Sequence, residues 1–409
     1  MAQIWYGVSF HLYRRTYELV LIYGEGPETV DKALIGTTRR VNPVTNTIDF
    51  TRMSSNGSHN PSISTNQRES LIYRLHPELE GRRLIHQIGT SNPETAVAAA
   101  KLIAGDVVGI DVNAGCPKPF STTGGMGAAL LKTPDLLCSI LKALVEQVGK
   151  PFEIGISVKI RLLSTPEETA ELVRKLVATG ITGLTLHCRT TPMRPRERAI
   201  RDQLRMVADI CHEAGVACLM NGDVVSRDDA IKLAQEYGAD GGMIATAAET
   251  NPSCFRTEAD GGLAPWEEAV KEYVRLALSV ENRFGNTKYL LGQMMPGKSP
   301  LYRPMNQSRS YSALVKILGY EEEMATVADT VDRHLEIDPS KKLTRAEKKA
   351  KHGRGAKENP AGDAKPNKIA PEQQTEIVKP MKRKADVAEL DDMPADVARE
   401  TGPGTVLTV

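Results

Sequence analysis

Between residues 81 and 250, short apolar runs alternate with stretches of helical periodicity, and few folds satisfy that pattern. The runs occupy Leu84–Gly89 and residues 107–113, 156–161, 184–189, 217–222 and 242–245. Helices are predicted between them, over 93–104, 134–148, 166–179, 199–214 and 226–237. Several open on Ser, Thr or Asn followed by Pro, a favourable start; Ser164-Thr165-Pro166-Glu167 is the clearest. Several close near glycine, at Gly149, Gly180, Gly215 and Gly238. Strands this uniformly apolar imply a parallel sheet covered on both faces. Leu19–Tyr23 adds a seventh strand and residues 4–10 an eighth. Eight βα units within about 250 residues fit a TIM (β/α)8 barrel with an atypical first strand. No G-x-G-x-x-G follows the first strand, which argues against a dinucleotide-binding doubly wound sheet.

The pattern changes after the barrel. Residues 259–335 read as a small all-α domain, because WEEAVKEYVRLALSVENRF and YSALVKILGYEEEMATVADTVDRHL are helical with no strand between them. From Lys341 to Val409 there is no Phe, Trp or Tyr, so too little apolar surface is available to offset chain entropy. The expected division is a barrel over 1–258 (atypical at 1–19), a helical domain over 259–335 and a disordered charged tail over 336–409. The net charge of +1 gives no global basic excess. The six cysteines form no CxxC and no Cys/His cluster of zinc spacing, so no metal is expected. A disulfide framework is not expected in so long and Cys-poor a chain. No run of about 18 apolar residues would span a membrane. The start MAQIWYGVSFHLYRR lacks the layout of a signal peptide. A cytoplasmic monomer is the expectation.

A barrel of this kind works at the C-terminal ends of its strands. Those ends carry Gln87, then Asn113 and Cys116, then Lys159 and Arg161, then His187 and Arg189, then Asn221 and Asp223. Any one of these has an ordinary structural use; a free cysteine, for instance, is most often a small buried hydrophobe. A polar or reactive group at the same place in successive units is harder to ascribe to chance. Cys116 lies in a Gly/Pro loop, NAGCPK, just past a strand. Lys159 sits inside an apolar strand, where a cation needs a partner or an anionic ligand. His187, beside it, supplies a donor for charge that develops in a reaction. Asn221-Gly222-Asp223 and Ala245-Thr246 lie where such barrels often hold phosphate.

These strings together resemble the tRNA-dihydrouridine synthases, and within them the eukaryotic branch acting at position 20 of the D-loop. The resemblance rests on HQIGTSNPETAVAAA, GIDVNAGCPKPFSTTGGMGAALL, VKIRLL, LHCRT, MNGDV, GGMIATAAETNP and NTKYLLGQM, over about residues 28–320. It implies a barrel that binds FMN, reduced by NADPH or NADH, and a helical domain that helps hold tRNA. Hydride would pass from flavin N5 to uracil C6, and Cys116 would give the proton to C5. It also implies that Lys159 and His187 lie near flavin N1 and O2, Gln87 at the ring, and Asn113 between flavin and substrate. Asn221, Gly222, Asp223, Ala245 and Thr246 then fall at the phosphate end, and Arg161 near the base or flavin. Two departures stand out. Family members begin with a strand ending in Pro-Met, absent from residues 1–19, and often carry Arg where this chain has Thr246.

For RNA the candidates are Lys288, Tyr289 and Arg303, where cations and aromatics interleave as phosphate and base contacts require. The tail adds 14 Lys and Arg against 5 Asp and Glu over residues 341–384. Lys382, Arg383 and Lys384 within it read as RNA-binding or as a nuclear signal. Two competing readings remain at this level: a tRNA-binding protein whose altered start impairs flavin binding, and an FMN barrel that reduces free pyrimidines.

Overall fold

The computed structural model describes residues 8–12, 19–23, 29–54, 68–80 and 83–337. The expectation of a disordered tail, with its basic patches, falls on 338–409, outside the described residues. Twelve strands are present among the described residues: β1 (Val8–Leu12), β2 (Leu19–Tyr23), β3 (Thr29–Val30), β4 (Thr38–Asn42), β5 (Thr47–Ser54), β6 (Arg68–Leu75), β7 (Leu84–Gly89), β8 (Gly109–Asn113), β9 (Gly155–Leu162), β10 (Gly183–Thr190), β11 (Ala217–Asn221) and β12 (Gly241–Ile244). Strands β7 to β12 pair in parallel, in sequence order. β2 pairs in parallel with β7, β12 pairs with β1, and β1 pairs with β2, so the ring of eight strands closes. The expected barrel is therefore present, with a correction at its seam. The first strand is Val8–Leu12 rather than 4–10, and it runs antiparallel to both neighbours. Only residues 13–18 separate it from β2, and a parallel neighbour needs a crossover of about a dozen residues or more.

Strand alternation sorts the barrel residues into two sets. Ile110, Val112, Ile156, Val158, Ile160, Leu184, Leu186, Cys218 and Met220 join the core between sheet and helices. The opposite parity of the same strands, from Gln87 and Asp111 through Lys159 and His187 to Asn221, faces inward, where Ile85 and Met243 form a small apolar cluster with Val108 packed against it. The helices follow the expected start signals. Asn92 accepts the Thr95 N–H at the head of Pro93–Ile103, and Thr165 with Glu168 forms a complete capping box on Pro166–Val177. Gly180, Gly215 and Gly238 adopt positive φ past helix ends. Gly149 does not: its φ is −54° inside a π-turn, and its missing Cβ lets Ile156 pack close. The helix expected over 199–214 is Leu204–Glu213, because residues 191–203 form a loop held to the barrel mouth.

Two further features were not read from the sequence. Strands β4, β5 and β6 form a separate antiparallel sheet. The segment expected as one helix from 311 to 335 is two, Tyr311–Leu318 and Glu321–His334, separated at Gly319 with φ +74°. Asp332 accepts the backbone N–H groups of Tyr311 (2.8 Å) and Ser312 (2.9 Å), closing the head of the first onto the second. No helix among the described residues is long and apolar enough to cross a membrane.

Candidate active site

The deepest polar tier starts at Asp111, which is fully buried. Gln87 Nε2 donates to its Oδ2 (2.7 Å) and Ser157 Oγ to its Oδ1 (2.6 Å). Burial pushes the Asp111 carboxyl up, and the two hydrogen bonds and the charge on Lys159 oppose that. With its amide nitrogen committed to Asp111, Gln87 turns Oε1 to Asn113, whose Nδ2 donates to it at 3.1 Å. Asn113 Oδ1 then accepts the backbone N–H groups of Gly115 (3.0 Å) and Cys116 (3.1 Å). The Cys116 loop is thus suspended from Asp111 through Gln87 and Asn113. From the other side, Arg161 Nε donates to the Gly115 carbonyl (2.7 Å) and Ala128 N–H to the Cys116 carbonyl (2.8 Å). Gly127 makes the last contact possible. A Cβ there would lie 2.3 Å from Ser121 Oγ and 2.6 Å from the Cys116 carbonyl, and φ is +57°.

Cys116 is half-buried and lies within electrostatic reach of both Lys159 and Arg161. Cys188, Cys211, Cys218 and Cys254 are buried. Burial pushes the Cys188 thiol to about 11 and the Cys254 thiol to about 12. Cys138 is half-buried on the helix Pro134–Leu144, remote from the strand ends. Lys159 faces Asn113 on one side and Thr185 on the other in strand register. Its ammonium makes no hydrogen bond or ion pair with a described residue. Desolvation, then the neighbouring Arg161 charge, lowers its pKa to about 8, against the pull of Asp111.

One step nearer the mouth, Arg161, His187 and Asn221 share a row across β9, β10 and β11. Arg189 Nη1 donates to His187 Nε2 (3.3 Å). Guanidinium cannot accept, so Nε2 is the acceptor and the imidazole proton sits on Nδ1. Burial, with three nearby cations, depresses the His187 pKa to about 2, so the ring is neutral. Asn221 Nδ2 donates to the Met243 carbonyl (3.0 Å), fixing its amide. Arg189 Nη2 also binds Asp223 Oδ1 (2.5 Å). Burial works against the Asp223 charge, but Arg189 and the Ala199 N–H outweigh it and hold the carboxyl below its usual range. These groups line a cavity of about 540 Å³ with Gly222, Ala245 and Thr246. Gly222 has φ +113°, and a Cβ there would press on His187 and Ala199.

The ten core candidates and the substrate residue Arg161 fall into two groups. Arg161, His187, Asn221, Gly222, Asp223, Ala245 and Thr246 meet in the cavity. Gln87, Asn113, Cys116 and Lys159 form the adjacent tier on β7 to β9 and its loop. Lys288, Tyr289 and Arg303 do not join them. Lys288 Nζ donates to the carbonyls of Asn306 (2.7 Å) and Ser308 (2.9 Å), while Tyr289 and Arg303 are exposed on the helices Phe284–Met294 and Tyr302–Gln307. Sequence reasoning missed Asp111 as the anchor of the network. Its signal was a carboxylate inside GIDVN, two residues before Asn113 and so on the same strand face. It also gave Arg189 no role. No cluster of three or more His, Cys, Asp or Glu fit to hold a metal occurs among the described residues.

The family model described as dihydrouridine synthase (Dus) matches residues 30–344. A Schizosaccharomyces pombe protein named tRNA-dihydrouridine(20) synthase, NAD(P)+, is 45% identical over 331 residues, covering 78% of this chain and 66% of that protein. A Saccharomyces cerevisiae protein of the same name is 38% identical over 354 residues, covering 84% and 90%. The tRNA-dihydrouridine synthase B of Proteus vulgaris is 33% identical over 202 residues, covering 49% and 60%. With a matched region that spans the barrel from β3 onward and the helices after it, this chain belongs to the dihydrouridine synthase family.

Proposed function

We propose that this protein reduces uridine to 5,6-dihydrouridine at position 20 of the tRNA D-loop, with FMN bound in the barrel and NADPH or NADH as electron donor. The observation that carries the reading is the half-buried Cys116, fixed by Asn113 and placed beside two inward cations. The residues fit a flavin. The cavity has no Cβ at Gly222, so a ligand edge can approach His187 closely. Lys159 is a half-buried cation with no ion-pair partner among the described residues, a costly arrangement unless a ligand uses it. Bound and reduced, FMN would supply the hydride to C6 of the uracil ring.

Cys116 would then donate the proton to C5. Lys159 and the His187 Nδ1–H would donate toward the edge that carries negative charge in the reduced cofactor, without reorganisation during reaction. Gln87 and Asn113 would hold the ring and the base in order. Asn221, Gly222, Asp223, Ala245 and Thr246 would hold the phosphate end. The target base must leave its stack to reach so recessed a site. In this reading residues 1–258 are the catalytic barrel, 259–335 support tRNA through Lys288, Tyr289 and Arg303, and 336–409 are an auxiliary charged tail. Entry into the nucleus through Lys382, Arg383 and Lys384 belongs to the same proposal.

The decisive experiment is Cys116→Ala. The variant should retain flavin absorbance and oxidise NADPH in a single turnover, yet form no dihydrouridine in unmodified tRNA. Full turnover would remove Cys116 as the proton donor.

A further inference from the structure

The loop between β10 and the helix Leu204–Glu213 contains R-P-R-E-R-A-I-R, and with Arg189 it puts five arginines and one carboxylate into residues 189–201. Its inward groups are all committed. Arg189 binds the carbonyls of Pro195 (3.1 Å) and Glu197 (2.7 Å). Ala199 N–H donates to Asp223 (2.7 Å), and Arg201 donates to the Gly222 carbonyl (2.8 Å). The single carboxylate, Glu197, accepts the Arg194 N–H at 2.6 Å. Arg196 and Arg198 are left exposed, with no hydrogen bond or ion pair to any described residue. Together with Arg189, Arg201, Glu197 and Asp223 they line a second cavity, of about 500 Å³. It shares Arg189, Pro195 and Asp223 with the reaction cavity, so the two adjoin across these residues.

We infer that this arginine groove binds the sugar–phosphate backbone of the RNA strand beside the nucleotide whose base enters the reaction cavity. The inference rests on the reading of the cavity as a uridine reductase site. A flipped base carries its neighbouring phosphates to the rim, and the only carboxylates there are already paired. Unpaired guanidiniums in a groove suit planar, bidentate recognition of phosphate. Nothing of the kind is needed for a free pyrimidine, which has no phosphate.

The test measures binding of an unmodified tRNA transcript by the full-length protein over a salt series. The double variant Arg196→Ala/Arg198→Ala should lower the slope of log K against log [salt] by about 1.4–1.8, the share of two phosphates. Arg196→Lys/Arg198→Lys should restore most of the slope, since a point charge suffices for counterion release. An unchanged slope in the alanine variant would overturn the groove as an RNA contact. So would a normal slope accompanied by a raised KM for NADPH in flavin reduction without RNA, which would assign the groove to the dinucleotide. Failure of the unaltered protein to retain flavin or form dihydrouridine would instead sink the reductase reading, independently of these variants.

Discussion

Lys159 and His187 lie on neighbouring strands, one step apart in register, yet the barrel treats them in opposite ways. Lys159 keeps a proton up to about pH 8 with Asp111 as the largest opposing pull against desolvation, whereas His187 is held neutral with one defined donor. If Lys159 stabilises reduced, anionic flavin, Lys159→Met should lower the flavin midpoint potential. One charge-assisted hydrogen bond of about 1.5–3 kcal/mol corresponds to about 30–60 mV for a two-electron couple, measurable by dye equilibration. An unchanged potential would remove the lysine from that role. His86 raises a separate matter of stability. It is fully buried against Tyr73, with neither ring nitrogen hydrogen-bonded among the described residues, and desolvation lowers its pKa to about 3. The unfolded chain takes up a proton near pH 6.5, where the folded chain does not, so stability falls as pH drops from 6.5 toward 3. The slope from this one group approaches about 1.4 kcal/mol per pH unit. His86→Phe should flatten the acid side of a Tm–pH profile, and an unaltered profile would show that other groups set it. Cys116, Lys159 and His187 were legible in the sequence because each breaks an apolar pattern at a strand end. Asp111 was not, and Arg189, though named at its strand end, was given no role, since the importance of both lies in which neighbours they bind after folding.

Among the elements, the helix starts were the most legible, because a cap is a local device. Asn92, Thr165 and Ser226 bond N–H groups three residues ahead. The GGMG segment is also local in sequence, but its meaning is tertiary. Gly127→Ala should displace the loop bearing Cys116, because the new methyl meets Ser121 and the Cys116 carbonyl. Flavin content should survive while dihydrouridine formation falls by more than tenfold; retained turnover would mean that the loop gives way freely. The β4–β6 sheet was invisible beforehand, and what fixes it is a long-range ion pair. Arg74 grips Asp49 with Nε (2.6 Å) and Nη2 (2.5 Å) and reaches the Val280 carbonyl after the helix Trp266–Ser279. Both side chains are at most 10% exposed. Removing one partner strands the other charge, so Arg74→Met should cost about 3–5 kcal/mol in denaturant unfolding. A loss below about 1 kcal/mol would show that water reaches the pair.

At the scale of the whole chain, the reaction site and the charged tail make separable demands. Truncation after residue 341 removes most of the local basic excess of residues 341–384. It should leave flavin reduction by NADPH unchanged and reduce the salt-sensitive part of tRNA affinity. An unchanged salt slope would make the tail irrelevant to RNA. The sequence by itself determined the repeated βα units, the order of the strands and the set of polar residues at their ends. Those follow from periodicity and spacing, which act over a few residues. Only the tertiary structure decided that β1 runs antiparallel at the seam, that Asp111 anchors the Cys116 loop, that Arg189 sets the proton on His187, and that residues 191–203 leave two arginines facing outward. Each of these depends on which side chains meet after the ring closes. A hydrogen bond or a buried charge is settled by its partners in space, and sequence spacing does not record them.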